Sequence, residues 1–419
     1  MSDLAGGITT PAGFYAAGGA CGIKASGLPD LTLIVADRPC AAAGVFTKSR
    51  TVGAPLQVNK RHLRGGEARA IVCNSGNANA STGKQGELDA IATCRLMTEA
   101  LGKHDPHRLG QQPLQPREVL VASTGIIGQP MPMDRVEHGI GQLTPRLARG
   151  QSADADSARA ILTTDLVSKA AHQTVTLGGQ TATVAGIAKG SGMIAPNMGT
   201  LLVFITTDAK VDSQTLQSAL DEANAATFNR ISVDQHTSPS DMVLALANGA
   251  AGHRKITGSG KNFTALKGAL HEVCQSLAYQ VVKDGEGATK VFRVRIRGAK
   301  DEREADKVGK AIVDSPLVKT AVHGADPNWG RIVTAAGYSG AAIQPDKLSL
   351  AIGDDEPIHV FEAGTPIDLA QRERDRLNST MQKKEVTFTL DLGRGEAAVE
   401  WLGCDLSRQY ITINADYTT

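Results

Sequence analysis

Lys189 to Ala209 reads KGSGMIAPNMGTLLVFITTDA, and its two halves demand different structures. Glycine, serine, asparagine and Pro196 fill the first half, which reads as a loop ending at Gly199. Leu201 to Ile205 is apolar at every position, and Val203, Phe204 and Ile205 favour extended backbone. A short unbroken apolar run of this kind reads as a strand buried on both faces. Such a strand needs a covering layer on each side, so the fold must be layered. Thr200 opens the strand directly after a glycine. A chain that cut itself there would expose a threonine as a new N-terminal residue.

The rest of the chain fits a layered fold. Leu31–Ala36, Ala68–Asn74 and Val119–Ser123 are apolar runs that end in small or polar residues, read as buried strands leading into loops. Leu88 to Leu101 reads as a helix. A clearer helix is predicted from about Phe263 to Val282, where Leu266, Leu270, Val273, Cys274, Leu277, Ala278 and Val281 form one apolar stripe. Gly285 and Gly287 can stop it. From about residue 290 the texture changes. Phe292, Val294 and Ile296 alternate with arginines, and Val386, Phe388 and Leu390 alternate with Thr387, Thr389 and Asp391, with a helix around Ala305 to Val313 between them. The predicted class is α/β (α+β), with mixed sheets sandwiched by helices and a smaller C-terminal α+β unit. A length of 419 residues also exceeds one ordinary core.

Composition removes several function classes. Forty-four basic and 43 acidic residues are spread through the chain without a basic stripe, so no nucleic-acid partner is expected. The apolar runs are too short to span a bilayer, and MSDLAGGITT lacks the pattern of a secretory signal, so a cytoplasmic, non-membrane protein is expected. The six cysteines, Cys21, Cys40, Cys73, Cys94, Cys274 and Cys404, form no C-x-x-C pair and read as free thiols, with no metal site. G-x-S-x-G, H-E-x-x-H and the P-loop pattern are absent. Gly190–Ala195 matches G-x-G-x-x-A, but Pro196 would break the helix that a dinucleotide site must open, so no cofactor is expected.

Acyl transfer suits the Gly199–Thr200 junction better. An internal threonine is a weak nucleophile. Freed at its amine, it carries a base of pKa about 7.7–8.0 on the same residue as its hydroxyl, so no histidine is needed. Gly199, without a Cβ, tolerates the geometry that attack on its carbonyl requires. Taken alone, however, a Gly-Thr pair is more often a strand residue beside a turn.

Linked motifs along nearly the whole chain alter that balance: GVFTKSR (44–50), NSGNANASTG (74–83), STGIIGQPMPM (123–133), TTD (163–165), KGSGMIAPNMGTLL (189–202), DGEGATK (284–290), SPLVKTAVHGADPNWGRI (315–332) and INADYTT (413–419). In this order they resemble the bifunctional ornithine acetyltransferase, or glutamate N-acetyltransferase, family of arginine biosynthesis. The resemblance implies an N-terminal-nucleophile-like fold and self-cleavage before Thr200 into an α chain (1–199) and a β chain (200–419), assembled as two α and two β chains. It implies transfer of acetyl from acetylornithine to glutamate through Thr200, and leaves acetyl-CoA open as a second donor. It makes Thr124 and Gly125 an oxyanion-hole pair. Thr163 or Thr164, Lys189, Thr200, Glu286, Asn414 and Thr419 become substrate contacts, which requires Ile411–Tyr417 to dock, as a strand. Lys189 suits the α-carboxylate that ornithine and glutamate derivatives share, and Glu286 the cationic end of ornithine. His323, in HGADPNW, reads as a structural hydrogen-bonding histidine.

Two places depart from the family pattern. Gly199 stands where most members carry alanine, and Ser232–Asp241 (SVDQHTSPSD) holds a proline and lacks a further acidic residue that members usually carry. The competing readings are an amidohydrolase or aminopeptidase of similar fold, in which water takes the acyl group, a paralogue serving specialised metabolism, and an unprocessed binding or scaffold protein.

Overall fold

The computed structural model describes residues 6–104, 109, 113–195 and 201–416. Gly199, Thr200 and Thr419 lie outside the described residues. In chain order the strands are β1 (Phe14–Gly19), β2 (Leu31–Phe46), β3 (Glu67–Asn77), β4 (Val119–Ile126), β5 (Lys169–Leu177), β6 (Gln180–Lys189), β7 (Leu202–Thr207), β8 (Ile231–Ser232), β9 (Met242–Ala247), β10 (Val291–Ala299), β11 (Ser349–Ile352), β12 (Ile358–Glu362), β13 (Thr365–Pro366), β14 (Glu385–Asp391) and β15 (Ala397–Cys404).

Two mixed sheets result. The first runs β4-β3-β2-β9-β7-β6-β5, with β1 also paired to β2. Its β3/β4 and β7/β9 pairs are parallel, and the others are antiparallel. The second runs β13-β12-β11-β14-β10-β15-β8.

The apolar run that follows Thr200 becomes β7, paired with β6 on one side and β9 on the other. All six of its residues are buried. Val203 and Ile205 enter a core with Leu216 and Leu220 of the helix Ser213–Ala226 and Leu266, Leu270 and Leu277 of the helix Lys261–Lys283. Leu202 and Phe204 enter the opposite core, with Phe14, Ile34, Ile71 and Ala158. Burying side chains of this size contributes roughly 1.5–3 kcal/mol each, enough to make a central strand one of the least mobile parts of the sheet.

The other expected elements form, with longer bounds. The stripe on Lys261–Lys283 is buried, and the helix ends at Asp284, just before Gly285. The alternating β10 buries Phe292, Val294 and Ile296 in a second-sheet core, while Arg293 and Arg295 pair with Glu400 at 2.7 and 2.9 Å. All six cysteines are free; five are buried and Cys21 is partly so. Among the described residues, no helix is long and apolar enough to cross a membrane.

The C-terminal segment differs from its expected strand: Arg408–Asp416 is a helix with no buried residue. Ser407 accounts for this. Its hydroxyl donates to the Gly287 carbonyl at 2.6 Å and accepts the Gln409 N–H at 3.2 Å, the bond of a helix N-cap. That local cap outweighs the extended preference of Ile411, Thr412 and Ile413.

Candidate active site

Parallel pairing of β3 and β4 sets Ser75 beside Thr124 and Gly76 beside Gly125. The Gly125 backbone has φ +128°, and a Cβ there would lie 2.4 Å from the Gly76 carbonyl carbon, so only glycine fits this close approach. The NSGNANASTG segment braces the turn. Asn74 accepts from the Ser123 hydroxyl at 2.6 Å and donates to the Asn77 carbonyl at 2.8 Å, while Asn77 donates to the carbonyls of Gln129 and Pro130. Thr124 is buried, and its hydroxyl has no hydrogen-bond partner among the described residues. A buried polar group left unpaired costs about 1–3 kcal/mol, which a bound acceptor would offset.

Lys189, expected from sequence in a loop, is instead the last residue of β6 and 1% exposed. Its ammonium donates to the Thr163 hydroxyl at 2.8 Å and lies 3.9 Å from Asp165. Asp165 is spanned by other donors: Lys169 at 2.7 Å and the Gly190 N–H at 2.8 Å. Lys169 also pairs with Asp284 at 2.6 Å. Burial pushes the Lys189 pKa down, against the opposing pull of Asp165. Burial would raise Asp165, but the charges of Lys189 and Lys169 and the Gly190 N–H hold it at about 2. Lys189 therefore has one short acceptor among the described residues for three donor hydrogens.

Residues 190–195 pass across Glu286. A Cβ on Gly192 would lie 2.3 Å from a Glu286 carboxylate oxygen, so a side chain there would displace that group. The Asn414 amide, on the C-terminal helix, donates to Glu286 at 2.8 Å. Asp234 accepts the N–H groups of Met193 and Ile194 at 2.6 and 2.9 Å. Burial raises its pKa, the backbone donors opposing. Ser191 and Met193 have positive φ, so this segment is not the helical turn that a dinucleotide site needs.

Thr124, Gly125, Thr163, Thr164, Lys189, Glu286 and Asn414 all line one pocket. These are the expected site residues that fall among the described ones. His323 lies outside that lining and pairs with Asp405 at 2.7 Å, as a structural histidine would. Leu201, the residue after Thr200, donates its N–H to Asp241 at 2.9 Å and accepts at its carbonyl from Met242 at 3.0 Å.

Sequence reasoning did not find the supporting carboxylates Asp165, Asp234 and Asp241, nor Ser238, Pro239 and Ser240 in the lining. The available signal was an aspartate at the end of TTD and one at each end of the DQHTSPSD segment, each beside a residue of interest. Chemically, the pocket offers a buried cation, a buried carboxylate and an unpaired hydroxyl beside a glycine turn. It can hold a molecule with both a carboxylate and an ammonium group and polarise a carbonyl between them.

The ArgJ family model matches residues 15–419. The arginine biosynthesis bifunctional protein ArgJ of Symbiobacterium thermophilum is 45% identical, covering 100% of both chains. That of Geobacillus kaustophilus is 43% identical over 99% of this chain and 96% of its own. Among solved structures, the arginine biosynthesis bifunctional protein argJ of Bacillus halodurans is 40% identical, with a TM-score of 0.48, covering 51% of this chain and 98% of that one. The ornithine acetyltransferase of Mycobacterium tuberculosis, complexed with ornithine, is 39% identical, with a TM-score of 0.41, covering 47% of this chain and 96% of that one. With a family match across nearly its whole length and relatives of this identity end to end, the chain belongs to the ArgJ family.

Proposed function

We propose that the chain cuts itself between Gly199 and Thr200 and then transfers acetyl from N2-acetylornithine to glutamate in arginine biosynthesis, in the cytoplasm. The observation that carries this reading is the unpaired Thr124 hydroxyl in one pocket with buried Lys189 and Glu286. Lys189 holds the α-carboxylate common to donor and acceptor, and Glu286, oriented by Asn414, holds the cationic end of ornithine.

The Thr200 hydroxyl attacks the acetyl carbonyl, and its proton passes to the Thr200 amine. Thr124 Oγ1 and the Gly125 backbone donate to the developing oxyanion, each such donor lowering a barrier by about 2.7–4 kcal/mol. The carbon–nitrogen bond then breaks, the Thr200 ammonium protonates the departing nitrogen, and ornithine leaves. The glutamate amine attacks the acetyl ester and the Thr200 amine takes its proton; as the ester carbon–oxygen bond breaks, that proton returns to the Thr200 oxygen, and N-acetylglutamate leaves. Thr163, Thr164 and Thr419 complete the substrate contacts. The products of cleavage, residues 1–199 and 200–419, stay together as two α and two β chains. Acetyl-CoA as a further donor has no site assigned.

Incubation with acetylornithine, with and without glutamate, tests transfer. Ornithine release is expected to depend on glutamate. Equal release in both would make the protein a hydrolase.

A further inference from the structure

Asp241 is fully buried at the start of β9, beside the strand that Thr200 precedes. One of its carboxyl oxygens accepts the Leu201 N–H at 2.9 Å; the other has no partner among the described residues. Met242, the next residue, donates to the Leu201 carbonyl at 3.0 Å, and the Asp241 carbonyl accepts the Thr47 N–H at 3.0 Å. Both polar backbone groups of Leu201 are thus held by two consecutive residues, Asp241 and the first residue of β9. Leu201 itself is 1% exposed, so its N–H has no water to fall back on. A backbone amide in a mixed sheet is ordinarily satisfied by a carbonyl. Here a side chain takes that place, at the residue covalently joined to position 200.

We propose that Asp241 is a positioning residue for the nucleophile: by accepting the Leu201 amide it fixes the backbone leading to residue 200. This rests on the reading of Thr200 as nucleophile. Burial raises the Asp241 pKa well above its ordinary value, with the Leu201 N–H and the Lys189 charge opposing. A neutral carboxyl offers one acceptor and one donor, and an asparagine amide offers the same pair.

The test compares full-length wild type, Asp241→Asn and Asp241→Ala. Cleavage is followed by mass under denaturing conditions, kcat and KM are measured for acetylornithine, and circular dichroism monitors folding. Asp241→Ala is expected to slow cleavage and lower kcat by about tenfold or more with KM within about twofold, while Asp241→Asn stays within about threefold of wild type in both rates. A kcat for Asp241→Ala within about twofold of wild type overturns the proposal, as does a loss that lies wholly in KM. So does an Asp241→Asn variant as slow as the alanine one, because ionisation would then be what the site requires. If the alanine variant does not fold, asparagine against wild type still decides on the same threshold. A wild-type chain that transfers acetyl without splitting before Thr200 would instead sink the underlying mechanism.

Discussion

Lys189 and Asp165 show how a buried charge is kept available for a ligand. Lys169, itself shared with Asp284, and the Gly190 N–H satisfy much of Asp165, and the Thr163 hydroxyl accepts from the Lys189 ammonium, so Lys189 is fixed in place without being fully neutralised. Lys189→Met is expected to raise KM for acetylornithine and glutamate alike, by about 30-fold or more, since losing a buried charge contact costs about 2–5 kcal/mol. Glu286→Gln should raise KM mainly for acetylornithine; separate titration of the two substrates checks both. Asp165 gives a pH signature. Its folded pKa, about 2, is below the ordinary 3.8. The folded state therefore binds that proton less readily than the unfolded one, and its stabilisation is present above about pH 4 and lost as pH falls through about 2. Asp165→Asn should destabilise the protein by about 3–5 kcal/mol at pH 7. Urea midpoints should show that deficit shrinking as pH falls from about 4 toward 2. A constant deficit would deny Asp165 its charged role. The carboxylate network behind Lys189 was not legible in sequence, although Lys189 and Glu286 were: Asp165 and Asp284 lie 119 positions apart and meet only through Lys169.

At the scale of elements, legibility followed how local the deciding force was. β7 could be read because five consecutive apolar residues allow little besides a strand buried on both faces. The Lys261–Lys283 helix could be read from its stripe. The C-terminal helix could not, because its β-branched residues favour a strand and the capping bonds of Ser407 run partly to distant Gly287. That helix carries Asn414 but buries no residue. Deleting residues 408–419 should therefore leave the melting midpoint within a few degrees of wild type while abolishing most transfer. A truncated protein with full turnover would remove Asn414 and Thr419 from the site. At the β3–β4 turn, Gly125→Ala meets both a positive φ and the Gly76 backbone. A loss of about 2 kcal/mol or more is expected, with kcat falling in step as Thr124 is displaced; thermal melts alongside kinetics check this.

The whole molecule gives the cleavage proposal its physical setting. β6 lies before the junction and β7 after it, yet they pair along six residues, and β9 completes the sandwich around β7. The two fragments should therefore elute together under native conditions and part only in denaturant. The acyl-threonine intermediate is the central claim. The direct measurement is the mass of the denatured fragments after brief exposure to acetylornithine without glutamate. The account predicts an acetyl-sized gain on the fragment beginning at Thr200, discharged when glutamate is added and absent in Thr200→Ala. Transfer by an uncut chain, or rapid transfer with no acetyl ever found on that fragment, would contradict it.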